Sequence, residues 1–232
     1  MELLRAGKPA ERILIQRGLA PSGVIAEIRK RAADAAVPVR VVPRSEIDRA
    51  APGIHHQGVA AVAGRYRYVP LEDLLARPDT TLLFLDGVMD PHNLGSLLRS
   101  ADQAGFGGVV IPARRAVGVT PAVRRVSAGA AEVVPVARVG SVSAAMERAK
   151  TRGVWIVGLD QDAEVDIWSS RLLEPPVGLV LGAEDRGLSR LVRERCDELV
   201  RIPSEGRLSS LNVAAAGAIA MFEVARRNVG NG

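Results

Sequence analysis

Three segments of this 232-residue chain end an apolar run in glycine and polar residues: 85–99 (LDGVMDPHNLGSLLR), 179–187 (LVLGAEDRG) and 202–213 (IPSEGRLSSLNV). That is the pattern of a buried strand delivering its end to a ligand, because glycine lets the backbone turn sharply or approach a bound molecule closely. The side chains gathered there have usable chemistry. Asn93, Ser210 and Asn212 offer amide and hydroxyl donors and acceptors, Glu184 a carboxylate, and Arg99 a planar cation suited to phosphate. Asn93, Ser96 and Arg99 fall at i, i+3 and i+6 of an expected helix whose other side carries Leu94, Leu97, Leu98 and Ala101. Each also has a plainer reading. Gly87, Gly182 or Gly187 alone suits a simple turn, Asn93 and Ser210 suit helix N-caps, Glu184 suits the N-terminal end of a helix, and Arg99 suits a surface ion pair.

The elements that must hold these residues follow from apolar periodicity. Up to residue 70 the pattern is a small α/β unit, with strands expected at 11–15, 37–42 and 58–63 and helices at 22–36 and 45–50. Residues 71–80 read as a connection that contains a short apolar helix pattern, LEDLLA. From residue 81 strands and helices alternate. Strands are expected at 81–85, 108–111, 132–136, 154–159, 178–181 and 198–202, and helices at 93–104, 121–128, 142–152, 189–195 and 209–227. This predicts a largely parallel sheet covered on both faces, with its ligand site at the carboxyl ends of the strands. Gly105, Gly107 and Gly108 cluster as well, but they follow an expected helix and precede an expected strand. A dinucleotide fingerprint needs the opposite order, so a nicotinamide site is not indicated.

Composition narrows the class. Hydrophobic residues make up 47% of the chain, enough for a substantial core. No apolar run reaches the roughly 18 residues of a membrane span, and residues 1–18 lack the apolar region of a signal peptide; a cytoplasmic protein is expected. Cys196 is the only cysteine, so an internal disulfide is excluded, and its charged surroundings favour a structural role. His55, His56 and His92 do not make a metal-ligand set, and His92, although suited by its intrinsic pKa to act as a base, carries no motif. The net charge is +5, and residues 1–70 hold 12 Lys+Arg against 6 Asp+Glu while the remainder holds 19 against 20. The basic first third is a footprint for a polyanion, or else a solvated basic surface.

Together the three segments resemble the motifs of the SpoU/TrmH family of RNA 2′-O-methyltransferases. The first matches through Asp86, Asn93, Gly95 and Arg99, with Pro91 ahead of the asparagine. The second matches through Gly182, Glu184 and Gly187, and the third through Ile202, Pro203, Gly206, Ser210, Leu211 and Asn212. The resemblance covers about residues 82–225. It implies a SPOUT-type parallel-sheet domain with a C-terminal trefoil knot, which periodicity alone would never suggest. It implies S-adenosyl-L-methionine as cofactor, contacted by backbone near Gly182, Ile202 and Leu211. Catalytic roles fall to Asn93, Arg99, Glu184, Ser210 and Asn212, in a homodimer that builds each site at its interface, with no metal and no membrane. The family assigns its matching arginine, here Arg99, to activation of the 2′-hydroxyl. A guanidinium with a pKa above roughly 12 seldom gives up its proton, so a clamp on the adjacent phosphate and a stabiliser of developing alkoxide is the better physical role. Where many relatives carry serine after SLNV this chain has Ala214, which removes one hydroxyl near the cofactor loop.

Residues 1–70 resemble the substrate-binding domain of the RlmB-like branch through ERILIQRG, VPVRVV and the HQG of residues 56–58. The implied organisation is a ribosomal-protein-like RNA-binding domain over 1–70, either truncated or unusual at its start, a linker over 71–80 and the methyltransferase domain over 81–232. The implied substrate is a guanosine of 23S rRNA. Alternatives are a tRNA guanosine or an rRNA adenosine, or a non-catalytic RNA-binding ribosome-assembly factor. Retention of Asn93, Arg99, Glu184, Ser210 and Asn212 speaks against the last.

Overall fold

The computed structural model describes residues 10–20, 22–53, 56–206 and 210–229. The expectation about the start of the first domain falls on residues 1–9 and lies outside them. Contacts divide the chain into two compact units, Met1–Tyr66 and Arg67–Gly232.

The first unit contains β1 (Ala10–Gln16), α1 (Gly23–Asp34), β2 (Val39–Val42), α2 (Arg44–Ala50) and β3 (Val59–Ala63). β1 is the middle strand, parallel to β2 and antiparallel to β3. The two-residue period of a strand sends Ile13 and Ile15 to one face, where they pack with Ile28, Ala32 and Val37, and Leu14 to the other, where it meets Val42 and Ile47. Ser22 caps α1 by accepting from the Ile25 N–H at 3.3 Å. The HQG motif has a structural job. His56 Nδ1 accepts the Gly58 N–H at 3.1 Å, which places the ring proton on Nε2, 2.8 Å from Asp48 Oδ1.

The second unit runs α3 (Leu71–Leu75), β4 (Thr81–Asp86), α4 (Pro91–Gln103), β5 (Gly108–Pro112), α5 (Pro121–Val126), α6 (Ala130–Val133), β6 (Val136–Val139), α7 (Val142–Lys150), β7 (Trp155–Leu159), β8 (Val165–Asp166), β9 (Val177–Gly182), α8 (Arg190–Glu194), β10 (Glu198–Arg201) and α9 (Val213–Val229). Its seven strands are ordered β6-β5-β4-β9-β7-β10-β8, and every pairing is parallel. β4 and β9 are uninterrupted apolar runs because they lie at the centre with both faces covered; they pair from Thr81 against Val177 to Asp86 against Gly182. Leu71, Leu74 and Leu75 of α3, within the stretch read as a linker, are buried in this unit's core.

Three local expectations need correction. Residues 132–135 are not strand: Glu132 lies in the short helix that ends at Val133, is buried, and pairs with Arg124 of α5. The strand starts only after Pro135, which has no N–H to give a ladder. The helix expected from Asn93 begins at Pro91, capped by Asp90, whose side chain accepts from the His92 N–H at 2.9 Å. The last helix begins at Val213, not 209. Two-residue β8 carries too few residues to show any alternation.

β9 is inserted between β4 and β7, although it follows both in sequence. The carboxyl ends of β4, β9, β7 and β10 therefore adjoin, where open parallel sheets place their ligands. After β10 the chain returns so that α9 packs on α4 and β9. A Cβ at Gly217 would sit 2.4 Å from Leu97 Cδ2 and 2.6 Å from Leu181 Cδ1, so the small residues of this helix serve close approach. Among the described residues, no helix is long and apolar enough to cross a membrane.

Candidate active site

The loop after β9 is closed on itself. Ala183 and Gly187 exchange N–H···O bonds of 3.0 and 2.9 Å. A Cβ on Gly182 would stand 2.0 Å from the Gly187 carbonyl carbon, so no side chain fits at this strand end. Asp86, closing β4, accepts the Ser189 N–H at 2.7 Å and ties its strand to the entrance of α8. Gly87 follows at φ +91°, a conformation that other residues rarely adopt.

One chain of hydrogen bonds joins the three sequence motifs. Asn212 caps α9: its Oδ1 accepts from the Ala214 and Ala215 N–H groups at 2.9 and 3.3 Å. Its amide nitrogen must then face outward, and it donates to Asn93 Oδ1 at 3.1 Å. Asn93 in turn donates its Nδ2 to Glu184 Oε1 at 2.8 Å. The carboxylate, acceptor only, also lies 3.5 Å from the Met89 and Asp90 N–H groups at the entrance of α4. Both ends of the chain rest on backbone donors, so neither amide can flip without losing a bond. Partial burial pushes the Glu184 carboxyl up, but hydrogen bonds from Asn93 and from backbone N–H groups outweigh it and hold the pKa below the usual carboxylate value. Asn93 is not an N-cap; Asp90 has that role and leaves the Asn93 side chain free for the network. Ser210 does not cap α9 either, because Asn212 does.

A cleft of about 700 Å³ opens beside this network. Gly182, Glu184, Ile202, Ser210, Leu211 and Asn212 all line it, together with Leu159, Leu181, Leu188 and Val200. Apolar walls suit a flat base, and strand-end backbone supplies donors and acceptors without a charged pocket. Arg99 stands apart. It is exposed, two turns along α4, and makes no hydrogen bond or ion pair among the described residues. Residues that sequence reasoning passed over also line the cleft. Asp160, at the end of β7, pairs with Arg193 of α8, and Arg186 projects from the closed loop. The signal for Asp160 was an acidic residue directly after an apolar strand, in GLDQD. Among the described residues no cluster of His, Cys, Asp and Glu could hold a metal ion. Cys196 is half-buried and its thiol is pushed up to about 12, by burial and then by Asp197.

Fold and site define a parallel α/β protein with a nucleoside-sized cleft at its central strand ends and a polar triad on the rim. The pattern of the SpoU rRNA Methylase family matches residues 80–222, and that of the RNA 2′-O ribose methyltransferase substrate-binding domain matches residues 1–69. The chain belongs to the SpoU rRNA methylase family, whose members are RNA methyltransferases. A TrmH-family tRNA/rRNA methyltransferase assignment is carried by YacO of Bacillus subtilis, 42% identical over 196 residues, covering 82% of this chain and 78% of YacO. A Staphylococcus aureus protein with the same family assignment is 40% identical over 233 residues, covering 97% and 92%. Among solved structures, the SpoU methyltransferase AviRb of Streptomyces viridochromogenes in complex with AdoMet superposes with a TM-score of 0.83 at 27% identity, covering 99% of this chain and 87% of that one. An AdoMet-bound rRNA methyltransferase from Sinorhizobium meliloti gives 0.82 at 26%, covering 97% and 83%.

Proposed function

We propose that the chain transfers a methyl group from S-adenosyl-L-methionine to the 2′-oxygen of a guanosine ribose in 23S rRNA. The observation that carries this reading is the Asn212–Asn93–Glu184 network on the rim of the cleft. It brings one residue from each of three distant motifs to one place, and a pure RNA binder would not need it. The cleft fits the cofactor: Gly182 leaves its loop room only for backbone, and Ile202 and Leu211 offer apolar contact to an adenine. When bound, the cofactor supplies a methyl made electrophilic by its sulfonium.

The residues of the chain then have to place the acceptor oxygen in line and ease loss of its proton. Glu184, held ionised, fixes the Asn93 amide, and Asn93 and Asn212 orient the ribose. Ser210, exposed on the cleft wall, adds a hydroxyl that can donate or accept. Arg99 binds the phosphate next to the reacting ribose and stabilises negative charge developing on the oxygen. Its separation from the network supports a homodimer in which a second protomer completes the site. Exposed Met89, Leu211 and Phe222 are apolar surface available for that contact. The unit Met1–Tyr66 serves as the RNA-binding domain, and the return of the chain after β10 forms the trefoil knot.

The test is transfer of labelled methyl to naked 23S rRNA, 16S rRNA and tRNA in parallel, followed by nucleoside analysis. The expected product is 2′-O-methylguanosine in 23S rRNA alone. Label confined to tRNA would keep the chemistry and overturn the substrate. Absence of label from all three, with cofactor bound, would favour a non-catalytic assembly factor.

A further inference from the structure

The loop between β5 and α5, residues 113–120, is braced by the chain that enters the second unit. Tyr68 follows the end of the first unit by two residues. Next to it, the Val69 N–H donates to Val136 O at 2.9 Å and Val69 forms a parallel bridge with Ala137, so this stretch runs along the outer edge of β6. With its backbone fixed there, Tyr68 reaches the loop through its side chain. The hydroxyl oxygen accepts the N–H of buried Val119 at 2.9 Å. Arg138 of β6 lies over the Tyr68 ring, its guanidinium carbon 5.5 Å from the centroid, and donates to Ala113 O at 2.7 Å. One stacked pair therefore holds both ends of the loop. Gly118 is fitted to the contact, since a Cβ there would stand 2.8 Å from the Tyr68 hydroxyl oxygen.

The loop also bears on the candidate active site. Its Val117 N–H donates to Val88 O at 3.0 Å. The Arg115 carbonyl oxygen lies 3.5 Å from the place a Cβ of Gly87 would take. The turn over residues 87–90 thus touches the loop, and it touches Glu184 as well. The Met89 and Asp90 N–H groups stand 3.5 Å from the Glu184 carboxylate, at the outer limit of a hydrogen bond. A small displacement of the turn decides whether those bonds are made. The same turn leads into α4 and Asn93, which donates to Glu184 at 2.8 Å. Neither Tyr68 nor the loop lines the cleft.

We propose that Tyr68, seated by Arg138, is a positioning residue for methyl transfer. Through the loop it holds the 87–90 turn where the Met89 and Asp90 N–H groups meet Glu184 and α4 delivers Asn93. This rests on reading the chain as an RNA methyltransferase. Because the brace stands outside the cleft, its loss acts on the transfer step and not on binding of cofactor or RNA.

The test uses the full chain carrying Tyr68→Phe, which removes the hydroxyl acceptor and keeps the ring under Arg138. Thr80→Val is the control: Thr80 donates from its Oγ1 to Leu74 O at 3.1 Å, a buried hydrogen bond at the other end of β4. Methyl transfer is measured on the RNA that the wild type methylates, and amide hydrogen exchange is read over residues 87–92. Tyr68→Phe is expected to lower kcat about tenfold, with the KM for RNA and the cofactor affinity within about twofold of wild type. Exchange over 87–92 becomes faster. Thr80→Val lowers the urea midpoint and leaves kcat and that exchange unchanged. Gly118→Ala presses on the hydroxyl and lowers kcat as Tyr68→Phe does. Phenylalanine has no oxygen to meet the new Cβ, so Gly118→Ala added to Tyr68→Phe costs nothing more. Unchanged kcat or unchanged exchange in Tyr68→Phe overturns the proposal. So does an equal loss of kcat in Thr80→Val, which would reduce the effect to stability, and so does a rise in KM for RNA at constant kcat, which would make Tyr68 an RNA contact. Failure of the wild type to methylate any RNA overturns the functional reading instead, while exchange over 87–92 still decides whether Tyr68 holds the turn.

Discussion

In the first unit the polar motif is consumed by the fold and most of the described basic side chains are left unpaired; in the second, acids hold many of them. His56 of the HQG motif spends both ring nitrogens on Asp48 and Gly58, whereas Arg12, Arg17, Arg29, Lys30 and Arg44 are exposed and form no ion pair among the described residues. In the second unit Lys150 pairs with Asp197, Arg193 with Asp160, and Arg226 and Arg227 with Glu223. Others there, Arg99 on α4 and Arg77, Arg125 and Arg152 elsewhere, are exposed and form no ion pair among the described residues. The difference teaches that net charge is a poor guide to where a polyanion is held. The first unit advertises a basic surface in its composition. The nearly neutral second unit can hold a phosphate only where pairing has been withheld.

The largest effect should come from Arg99, a motif side chain with no hydrogen bond or ion pair among the described residues. Arg99→Ala is expected to cut methyl transfer by at least about a hundredfold, the scale of losing one charge-stabilising donor. Cofactor affinity by calorimetry should stay within about twofold, since the cleft lies along the β9 and β10 loops. Unchanged turnover would put Arg99 among the ordinary surface cations and erase the contrast between the units at that position.

Much of this was readable in the sequence, for reasons that differ from residue to residue. β4 and β9 are legible because burial on both faces demands an unbroken apolar run. Glu184 and Asn93 are legible because glycine-rich strand ends flag them. The order of the strands is not legible: β9 slips between β4 and β7 through contacts far apart in sequence, and no local pattern encodes that. Residues 132–136 misled the reading because the apolar run around Pro135 suits a strand, while Glu132 is a buried carboxylate in a helical turn paired with Arg124, a contact no local pattern shows. Asn212 was placed within the last helix, yet its side chain caps it, an event decided by which of several polar residues reaches the free N–H groups first.

A middle-sized effect should follow from removing the first unit. Deleting residues 1–66 leaves the second unit with its own sheet and core. RNA binding is expected to weaken about tenfold or more and its salt slope to shrink, because phosphate contacts release counterions. Cofactor affinity should not move. An undiminished slope would show that the free cations of the first unit are only a solvated surface, and would leave the grip on RNA to the strand ends of the second.

The smallest effect asks whether the Asn93–Glu184 contact resembles the His56 clamp, a device for holding a turn, or is chiefly a poised site. The folded pKa of Glu184 lies below its ordinary 4.5, so the ionised carboxylate stabilises the fold above that pH, and the contribution fades as pH falls through the lowered value. Comparing urea midpoints of wild type and Glu184→Gln from neutral pH downward should show wild type ahead at neutral pH and the gap closing in acid. The residue is exposed enough for solvent to screen it, so the gap should stay under about 1 kcal/mol. A gap that does not close would remove ionisation from the account. A gap of several kcal/mol would make Glu184 a structural clamp like His56, and its loss would then lower activity through folding. A small, closing gap paired with a large loss of methyl transfer separates the two roles, because only a site residue can matter so much more to the reaction than to the fold.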